Sequence, residues 1–157
     1  MYVVLGASGN TGHIVAKTLL ARGQKVRAVG RNASHLQPLA ANGAEISIAD
    51  VTDAAALTKA FQHADSAYVM IPPNPTSNDA LAYAERVSDA IAAAAKNTGV
   101  RNIVSLSSIG ADKPSGTGPV GGLHNLVDGH LLWEGDERHA APFWVGQELH
   151  DVRRLGT

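Results

Sequence analysis

Short apolar runs alternate with segments of helical periodicity along this chain, an order typical of parallel strands joined by helical crossovers. The apolar runs predict five strands, at residues 3–5, 25–30, 44–49, 66–71 and 101–106. The segments between them predict helices at 11–22, 34–41 and 78–97, and a further helix through 57–61 that Thr52 or Asp53 would cap. Gly99 follows the longest helix and is expected to end it.

The predicted fold class is α/β: a Rossmann-like, doubly wound parallel sheet with helices on both faces, which gives three α/β/α layers. Right-handed crossovers and the glycine turn after the first strand imply the strand order 3-2-1-4-5. In such sheets, ligands bind at the carboxyl ends of the strands, where the winding direction reverses. The crevice between strands one and four should therefore be lined by residues 6–11 and 71–73.

Three glycines spaced three apart, Gly6, Gly9 and Gly12, follow directly on the first apolar run. Glycine lets a backbone approach a ligand closely, and the helix that begins there has amides without intrahelical partners. Those amides and the helix dipole suit a diphosphate. The spacing differs by one residue from the commonest dinucleotide fingerprint, and no Lys-Ser or Lys-Thr follows it as in a Walker A loop. We therefore predict nucleotide binding in preference to a purely structural turn.

Charge is unevenly placed, because no Asp or Glu occurs before Glu45. The basic residues of this acid-free stretch are Lys17, Arg22, Lys25, Arg27 and Arg31. They form either a solvated basic face or a surface that meets phosphate. Arg31 stands at the end of the second strand, where the ribose of a bound adenosine should lie. NAD sites usually carry an acid there, whereas a guanidinium can hold a 2′-phosphate through two hydrogen bonds, so the sequence favours NADP(H).

Neighbouring positions offer further contacts to the same ligand. Asn32 and Ser34 could add neutral donors beside Arg31, unless Arg31 is simply a surface arginine next to a loop. Asp50 stands at the end of the third strand, where it could accept a hydrogen bond from the adenine amino group. It could equally cap the helix that follows.

Composition excludes several other classes of protein. The chain has 157 residues, enough for one domain with a core, and its net charge of -1 gives no reason to expect nucleic acid or an anionic membrane as partner. It has no cysteine and no His-x-x-x-His pair, so no metal site, disulfide framework or cysteine nucleophile is predicted. No signal peptide, membrane-spanning run or Gly-x-Ser-x-Gly elbow is found, so we expect a cytoplasmic protein that is not a serine hydrolase.

Four motifs, in the right order, resemble the NmrA-like atypical short-chain dehydrogenases, a group that includes the type 2 NAD(P)H:quinone oxidoreductases. They are Gly6-Ala7-Ser8-Gly9-Asn10-Thr11-Gly12, Val29-Gly30-Arg31, Asp50-Val51-Thr52-Asp53 and Ser105-Leu106-Ser107-Ser108-Ile109-Gly110-Ala111. The resemblance covers residues 1–126 and implies a Rossmann domain that passes hydride from NADP(H), or alternatively NAD(H), to a quinone-like acceptor.

The same resemblance implies which residues contact the cofactor. It is held by Gly6, Ser8, Gly9, Asn10, Thr11 and Arg31, in a loop that Gly12 closes. Asp50 and Val51 lie near the adenine, and Ile71 and Pro72 lie beside the nicotinamide half.

The chain also departs from the mainstream short-chain dehydrogenases. Their Tyr-x-x-x-Lys pair is absent, because the last tyrosine is Tyr83 and the last lysine is Lys113. His124 lies roughly where that tyrosine would be, and Ser107 and Ser108 end strand five close to the expected nicotinamide. These three are the candidates for a catalytic role, although serines also commonly just end strands. The resemblance implies that quinone reductases of this type need no such pair, since hydride passes directly to the quinone.

After residue 126 the family pattern stops, so we divide the chain into a cofactor-binding domain at 1–126 and a tail at 127–157 with short apolar runs. Loop 110–122, rich in glycine and proline, either covers the crevice or is a flexible connector. Without a sixth strand, strand five would be an exposed edge through which we expect a homodimer or an aggregate to form. Two functions stay open: an NADP(H)-dependent quinone reductase, or a non-catalytic module that senses the NADPH/NADP ratio and regulates a partner.

Overall fold

A computed structural model of the chain describes residues 1–107. The strands are β1 (Tyr2–Val4), β2 (Val26–Gly30), β3 (Glu45–Ile48), β4 (Ser66–Val69) and β5 (Asn102–Ser105). The helices are α1 (Asn10–Ala21), α2 (Ala33–Ala40), α3 (Ala54–Phe61) and α4 (Ala80–Thr98). The predictions for Ser108, loop 110–122, His124 and tail 127–157 lie outside the described residues.

The strands form one parallel sheet in the order β3-β2-β1-β4-β5, which confirms the predicted fold class and strand order. β1 lies at the centre, because Tyr2 is in register with Val26 of β2 on one side and with Ser66 of β4 on the other. The elements occur where the apolar pattern predicts them, and their ends differ from the prediction by no more than three residues.

Specific residues explain where the helices begin and end. Asp53, and not Thr52, caps α3: its Oδ1 accepts hydrogen bonds from two backbone amides of the first turn, both at 3.0 Å. Gly99 ends α4 as predicted, in a left-handed conformation with φ of 69° that lets its amide donate to the Ala95 carbonyl.

The core has two layers, one on each face of the sheet. Helices α3 and α4 cover one face with the fully buried side chains Leu57, Phe61, Val87 and Ile91. Helices α1 and α2 cover the other face with Ala16, Leu36 and Leu39. Because side chains alternate along a strand, β1 supplies Val3 to the first layer and Val4 to the second. The strand that leads into the glycine turn is therefore buried on both faces and fixes the position of that turn.

Arg27 of β2 is buried, and its hydrogen bonds give it a structural role. Its Nε and Nη2 donate to the two carboxylate oxygens of Glu45 at 2.8 and 3.2 Å. Its Nη1 donates to the carbonyls of Ala60 and Gln62 at 2.6 and 2.8 Å, which satisfies the C-terminal end of α3. Arg27 therefore does not contribute to a phosphate-binding surface.

The other basic residues of the acid-free stretch are also spread over the domain. Arg22 follows α1 and Lys25 precedes β2, so both lie at the amino edge of the sheet. Lys17 lies exposed within α1. Of these residues, Arg31 alone directly follows the carboxyl end of a strand. Of the two alternatives for the basic residues, contact with phosphate stays a prediction for Arg31, and the other four lie away from the carboxyl ends of the strands or are used in the core.

Replacing Arg27 with methionine, which keeps most of the side-chain volume, is expected to lower the free energy of unfolding by about 3 kcal/mol. The loss arises because the buried Ala60 carbonyl and the partly buried Gln62 carbonyl at the end of α3 lose their donor. Denaturant unfolding followed by circular dichroism measures it. Arg22→Met is the matched control, since Arg22 is exposed, and its effect should stay within about 0.5 kcal/mol. Equal effects of the two substitutions would contradict the structural role of Arg27.

Candidate functional site

The turn after β1 needs glycine at two of its three glycine positions. Gly6 has φ of +63°, and a Cβ there would lie 2.8 Å from the Met70 sulfur. A Cβ on Gly12 would overlap the Gly6 carbonyl oxygen and lie 2.7 Å from the carbonyl carbon. The absence of side chains therefore lets α1 start directly against the end of β1.

The first turn of α1 presents free backbone amides. The first intrahelical hydrogen bond runs from the His13 amide to the Gly9 carbonyl, at 2.9 Å. Within residues 1–107, the amides of Asn10, Thr11 and Gly12 have no backbone or side-chain acceptor. This helix end is an open set of donors at the positive end of a helix dipole.

The other three helices close their N-termini with side chains. Asn32 caps α2, Asp53 caps α3 and Asp79 caps α4, and each accepts at least one hydrogen bond from a first-turn amide. The contrast with α1 is local in origin, since Gly9 at its N-cap has no side chain that could accept.

Arg31 lies directly beside the glycine turn. The Ala7 amide donates to the Val29 carbonyl at 3.1 Å, and a Cβ on Gly30 would lie 3.4 Å from the Ser8 hydroxyl. The end of β2 and the glycine turn are thus in contact. Arg31 follows at once, is exposed, and makes no hydrogen bond or ion pair in the described part of the chain. Its guanidinium is available to a ligand.

The predicted donors next to Arg31 are partly engaged. Asn32 Oδ1 accepts hydrogen bonds from the Ser34 amide at 2.9 Å and from the Ser34 hydroxyl at 2.8 Å. These bonds begin α2 and use the hydroxyl proton of Ser34. The side-chain nitrogen of Asn32 is therefore the neutral donor on this side of the site.

Asp50 forms a turn of its own and does not cap the next helix. Its Oδ1 accepts hydrogen bonds from the Thr52 amide at 2.9 Å and the Thr52 hydroxyl at 2.7 Å, whereas Asp53 is the cap. The alternative in which Asp50 is the cap is wrong. The hydrogen bonds from Thr52 hold the pKa of Asp50 below its usual range, and the charge of Arg31 adds to that effect. Asp50 is thus an ionised acceptor at neutral pH, near Arg31.

The opposite side of the crevice comes from the ends of β4 and β5. The Leu5 amide donates to the Tyr68 carbonyl at 2.9 Å, which ties the start of the glycine turn to β4. Beyond β4, Ile71 and Pro72 are half-buried at the carboxyl edge. Ser107 lies half-buried just beyond the last sheet bond of β5. The glycine turn and the segment after β4 therefore lie at the same edge, as the sequence predicts.

Tyr83, the last tyrosine of the chain, was not predicted to belong to the site. It lies in the first turn of α4, half-buried against the core layer that includes Val51. Burial raises the pKa of Tyr83, and the negative charge of Asp50 adds to the increase, so the hydroxyl keeps its proton at neutral pH. The signal available in the sequence was topological, because a helix that follows a parallel strand begins at the carboxyl edge.

Residues 1–107 contain neither a metal-binding cluster nor a membrane-spanning helix. No group of three or more His, Cys, Asp or Glu side chains is placed to hold a metal ion. No helix in this range is long and apolar enough to cross a membrane.

The sequence profile of the NAD(P)H-binding family matches residues 6–139, a range that begins at the first glycine of the turn. Since the match covers most of the chain, the protein belongs to this family of NAD(P)H-binding domains. The resemblance to the NmrA-like atypical short-chain dehydrogenases is confirmed, because the relatives of this chain include an NADPH-dependent quinone oxidoreductase.

Quinone oxidoreductase 2 of Escherichia coli (strain K12) is 32% identical over 136 residues, which cover 85% of this chain and 43% of that protein. The solved structure of the NADPH-dependent quinone oxidoreductase QOR2 from Escherichia coli, complexed with NADPH, has a TM-score of 0.66 at 28% identity, over 80% of this chain and 43% of that one. The Citrobacter sp. triphenylmethane reductase complexed with NADP(H) has the same fold, with a TM-score of 0.69 at 23% identity, over 80% and 43% of the two chains. The chain therefore spans less than half the length of each relative.

Proposed function

We propose that this chain binds NADP(H) across the carboxyl edge of its sheet and serves as the cofactor domain of a reductase whose acceptor is a quinone. The observation that carries the proposal is the open N-terminus of α1, set against a glycine turn that side chains would fill, with the free Arg31 beside it. A diphosphate fits the amides of Asn10, Thr11 and Gly12, together with the Ser8 hydroxyl. Membership of the NAD(P)H-binding family and the NADPH complex of QOR2 support this assignment.

The two halves of the cofactor extend in opposite directions from that point. On the β2 side, Arg31 would hold a 2′-phosphate, while Asp50 and Val51 border the adenine. On the β4 side, Ile71 and Pro72 would lie along the nicotinamide half. Gly6 and Gly9 let the turn approach the diphosphate closely. NAD(H) is the alternative cofactor, and the free guanidinium favours NADP(H) over it.

Bound NADPH supplies a hydride from the nicotinamide C4, and the chain's own residues hold the cofactor and orient it. Ser107 lies at the end of β5, where it could hydrogen-bond a nicotinamide or an acceptor. Ser108 and His124 complete the set of proposed catalytic candidates. A quinone can accept hydride without a dedicated proton donor in the same step, so the absent Tyr-x-x-x-Lys pair does not count against this acceptor.

The wider organisation belongs to the same proposal. We infer a cofactor domain at 1–126 and a tail at 127–157, in a cytoplasmic protein. A homodimer would form through β5, which pairs only with β4 in the described sheet and leaves Val104 39% exposed.

The second candidate is a non-catalytic module that senses the NADPH/NADP ratio. The observation in its favour is that no tyrosine follows Tyr83 in this sequence, so the Tyr-x-x-x-Lys pair of the mainstream short-chain dehydrogenases is absent. Holding an acceptor in line with a cofactor can account for roughly 7 to 11 kcal/mol of a barrier. A domain that binds NADP(H) without holding an acceptor in line with the nicotinamide would act as a sensor and not as a reductase.

Oxidation of NADPH, followed by its absorbance with a panel of quinones, ketones and aldehydes, separates the candidates. If the chain is a reductase, we expect modest NADPH oxidation that appears with quinones before ketones or aldehydes. Binding of NADPH without turnover of any acceptor would favour the sensor. Brisk ketone reduction would contradict the quinone assignment and would require a proton donor that neither the sequence nor the structure identifies.

A further inference from the structure

Tyr83 lies near the start of α4, at the carboxyl edge of the sheet where the proposed dinucleotide site lies. Its backbone amide donates to the Asp79 carbonyl at 3.2 Å, so the residue belongs to the first turn of α4. Its side chain packs on the core layer that contains Val51 and that Ile71 also contacts. The ring is half-buried, so part of its surface is covered by the core and part is open.

The charges around Tyr83 locate it relative to the proposed site. The Asp50 carboxylate and the Arg31 guanidinium both act on its hydroxyl, and Arg86, one helical turn further along α4, acts on it as well. Asp50 and Arg31 are the two ionised groups assigned above to the adenine and the 2′-phosphate. The Tyr83 hydroxyl is therefore within electrostatic range of both groups, although Tyr83 follows β4 whereas Arg31 follows β2 and Asp50 follows β3.

We propose that Tyr83 forms a wall of the adenine pocket and that its ring packs against the base, so that the site selects a purine nucleotide. The inference rests on the proposed NADP(H) site. Adenine offers a flat face to an aromatic ring and an amino group to the Asp50 carboxylate, so the two residues would read different parts of one base. An aromatic ring that stacks on a base commonly improves binding by about tenfold or more.

The test compares ligands that share or lack the base. NADPH and 2′,5′-ADP contain adenosine, whereas reduced nicotinamide mononucleotide does not. Tyr83→Ala is expected to weaken binding of NADPH and 2′,5′-ADP by about tenfold, as measured by calorimetry or NADPH fluorescence, with no change for the mononucleotide. Tyr83→Phe keeps the ring and should bind all three as the native chain does.

Two further variants distinguish a loss of binding from a loss of folded structure. Tyr83→Leu keeps an apolar side chain against the core and should show the same tenfold loss with an unchanged melting temperature. Leu81→Ala is the matched control, since Leu81 lies in the same helical turn but is 50% exposed. This variant should bind NADPH and 2′,5′-ADP as tightly as the native chain does.

Each outcome has a separate meaning. A native chain that fails to bind NADPH overturns the proposed function itself. Native binding of NADPH that survives both Tyr83→Ala and Tyr83→Leu overturns the role of Tyr83 alone. An equal loss for the mononucleotide, or a loss in Tyr83→Phe as large as in Tyr83→Ala, also overturns the stacking role.

Discussion

Replacement of Arg31 by alanine is expected to weaken NADPH binding by roughly 1.5 to 3 kcal/mol, the range for a hydrogen bond to a charged group. This corresponds to at least about a tenfold increase in Kd. NADH binding should be nearly unchanged, because NADH lacks the 2′-phosphate that the guanidinium would hold. Titration of both cofactors by fluorescence measures the two effects.

The informative quantity is the difference between the affinity that Arg31→Ala loses for NADPH and the affinity that it loses for NADH. Arg22→Ala removes the same charge from an exposed position at the amino edge of the sheet, and both affinities should stay as they are. A rise in ionic strength should weaken NADPH binding to the native chain more than to the Arg31 variant. Equal losses for NADPH and NADH in Arg31→Ala would place Arg31 away from the 2′-phosphate.

Replacement of Gly12 by alanine should disrupt both the fold and the site. The added Cβ would overlap the Gly6 carbonyl group, whose carbon atom would lie only 2.7 Å from it. The clash cannot be relieved by a rotamer change, because the Gly6 carbonyl belongs to the backbone. Helix α1 would have to move away from β1. We expect a loss of about 3 kcal/mol in the free energy of unfolding, even after the gain that alanine brings to a helix. NADPH affinity should fall with it, since the free amides of Asn10 and Thr11 move too.

Gly9→Ala is the graded control for that substitution. Gly9 has φ of −91° and ψ of 174°, which alanine adopts without strain, and its Cβ would lie 3.3 Å from the Gly6 carbonyl oxygen. The free energy of unfolding of Gly9→Ala should differ from that of the native chain by less than about 1 kcal/mol. If Gly12→Ala is as stable as Gly9→Ala, the close approach of α1 to β1 is not what requires glycine.

The topology could be predicted from the sequence because each element carries a local signal. Asp53 was one of two predicted caps for α3, and Gly99 ends α4 through a conformation that glycine favours. The position of the crevice could also be predicted, because the glycine turn follows the carboxyl end of β1 and so indicates which edge of the sheet binds a ligand. These signals depend on neighbours in sequence, so they can be read without the fold.

The remaining features depend on contacts between distant parts of the chain. Arg27 looked like part of a basic surface, but its partners are Glu45 on β3 and carbonyls of α3. Asp50 had two equal interpretations until the structure assigned the cap to Asp53. Tyr83 gave no local signal, because only the packing of α4 brings it near Asp50 and Arg31.

The most direct test of the central claim is an NMR titration of the isotopically labelled chain with NADPH. The proposal predicts saturable changes in amide chemical shift that are largest for Asn10, Thr11 and Gly12, whose N–H groups are free, with Arg31 and Val51 next. The chemical shifts of amides at the amino edge of the sheet, such as that of Lys25, should not change. An absence of shifts at millimolar NADPH, or shifts centred on the amino edge, would contradict a dinucleotide site at the glycine turn.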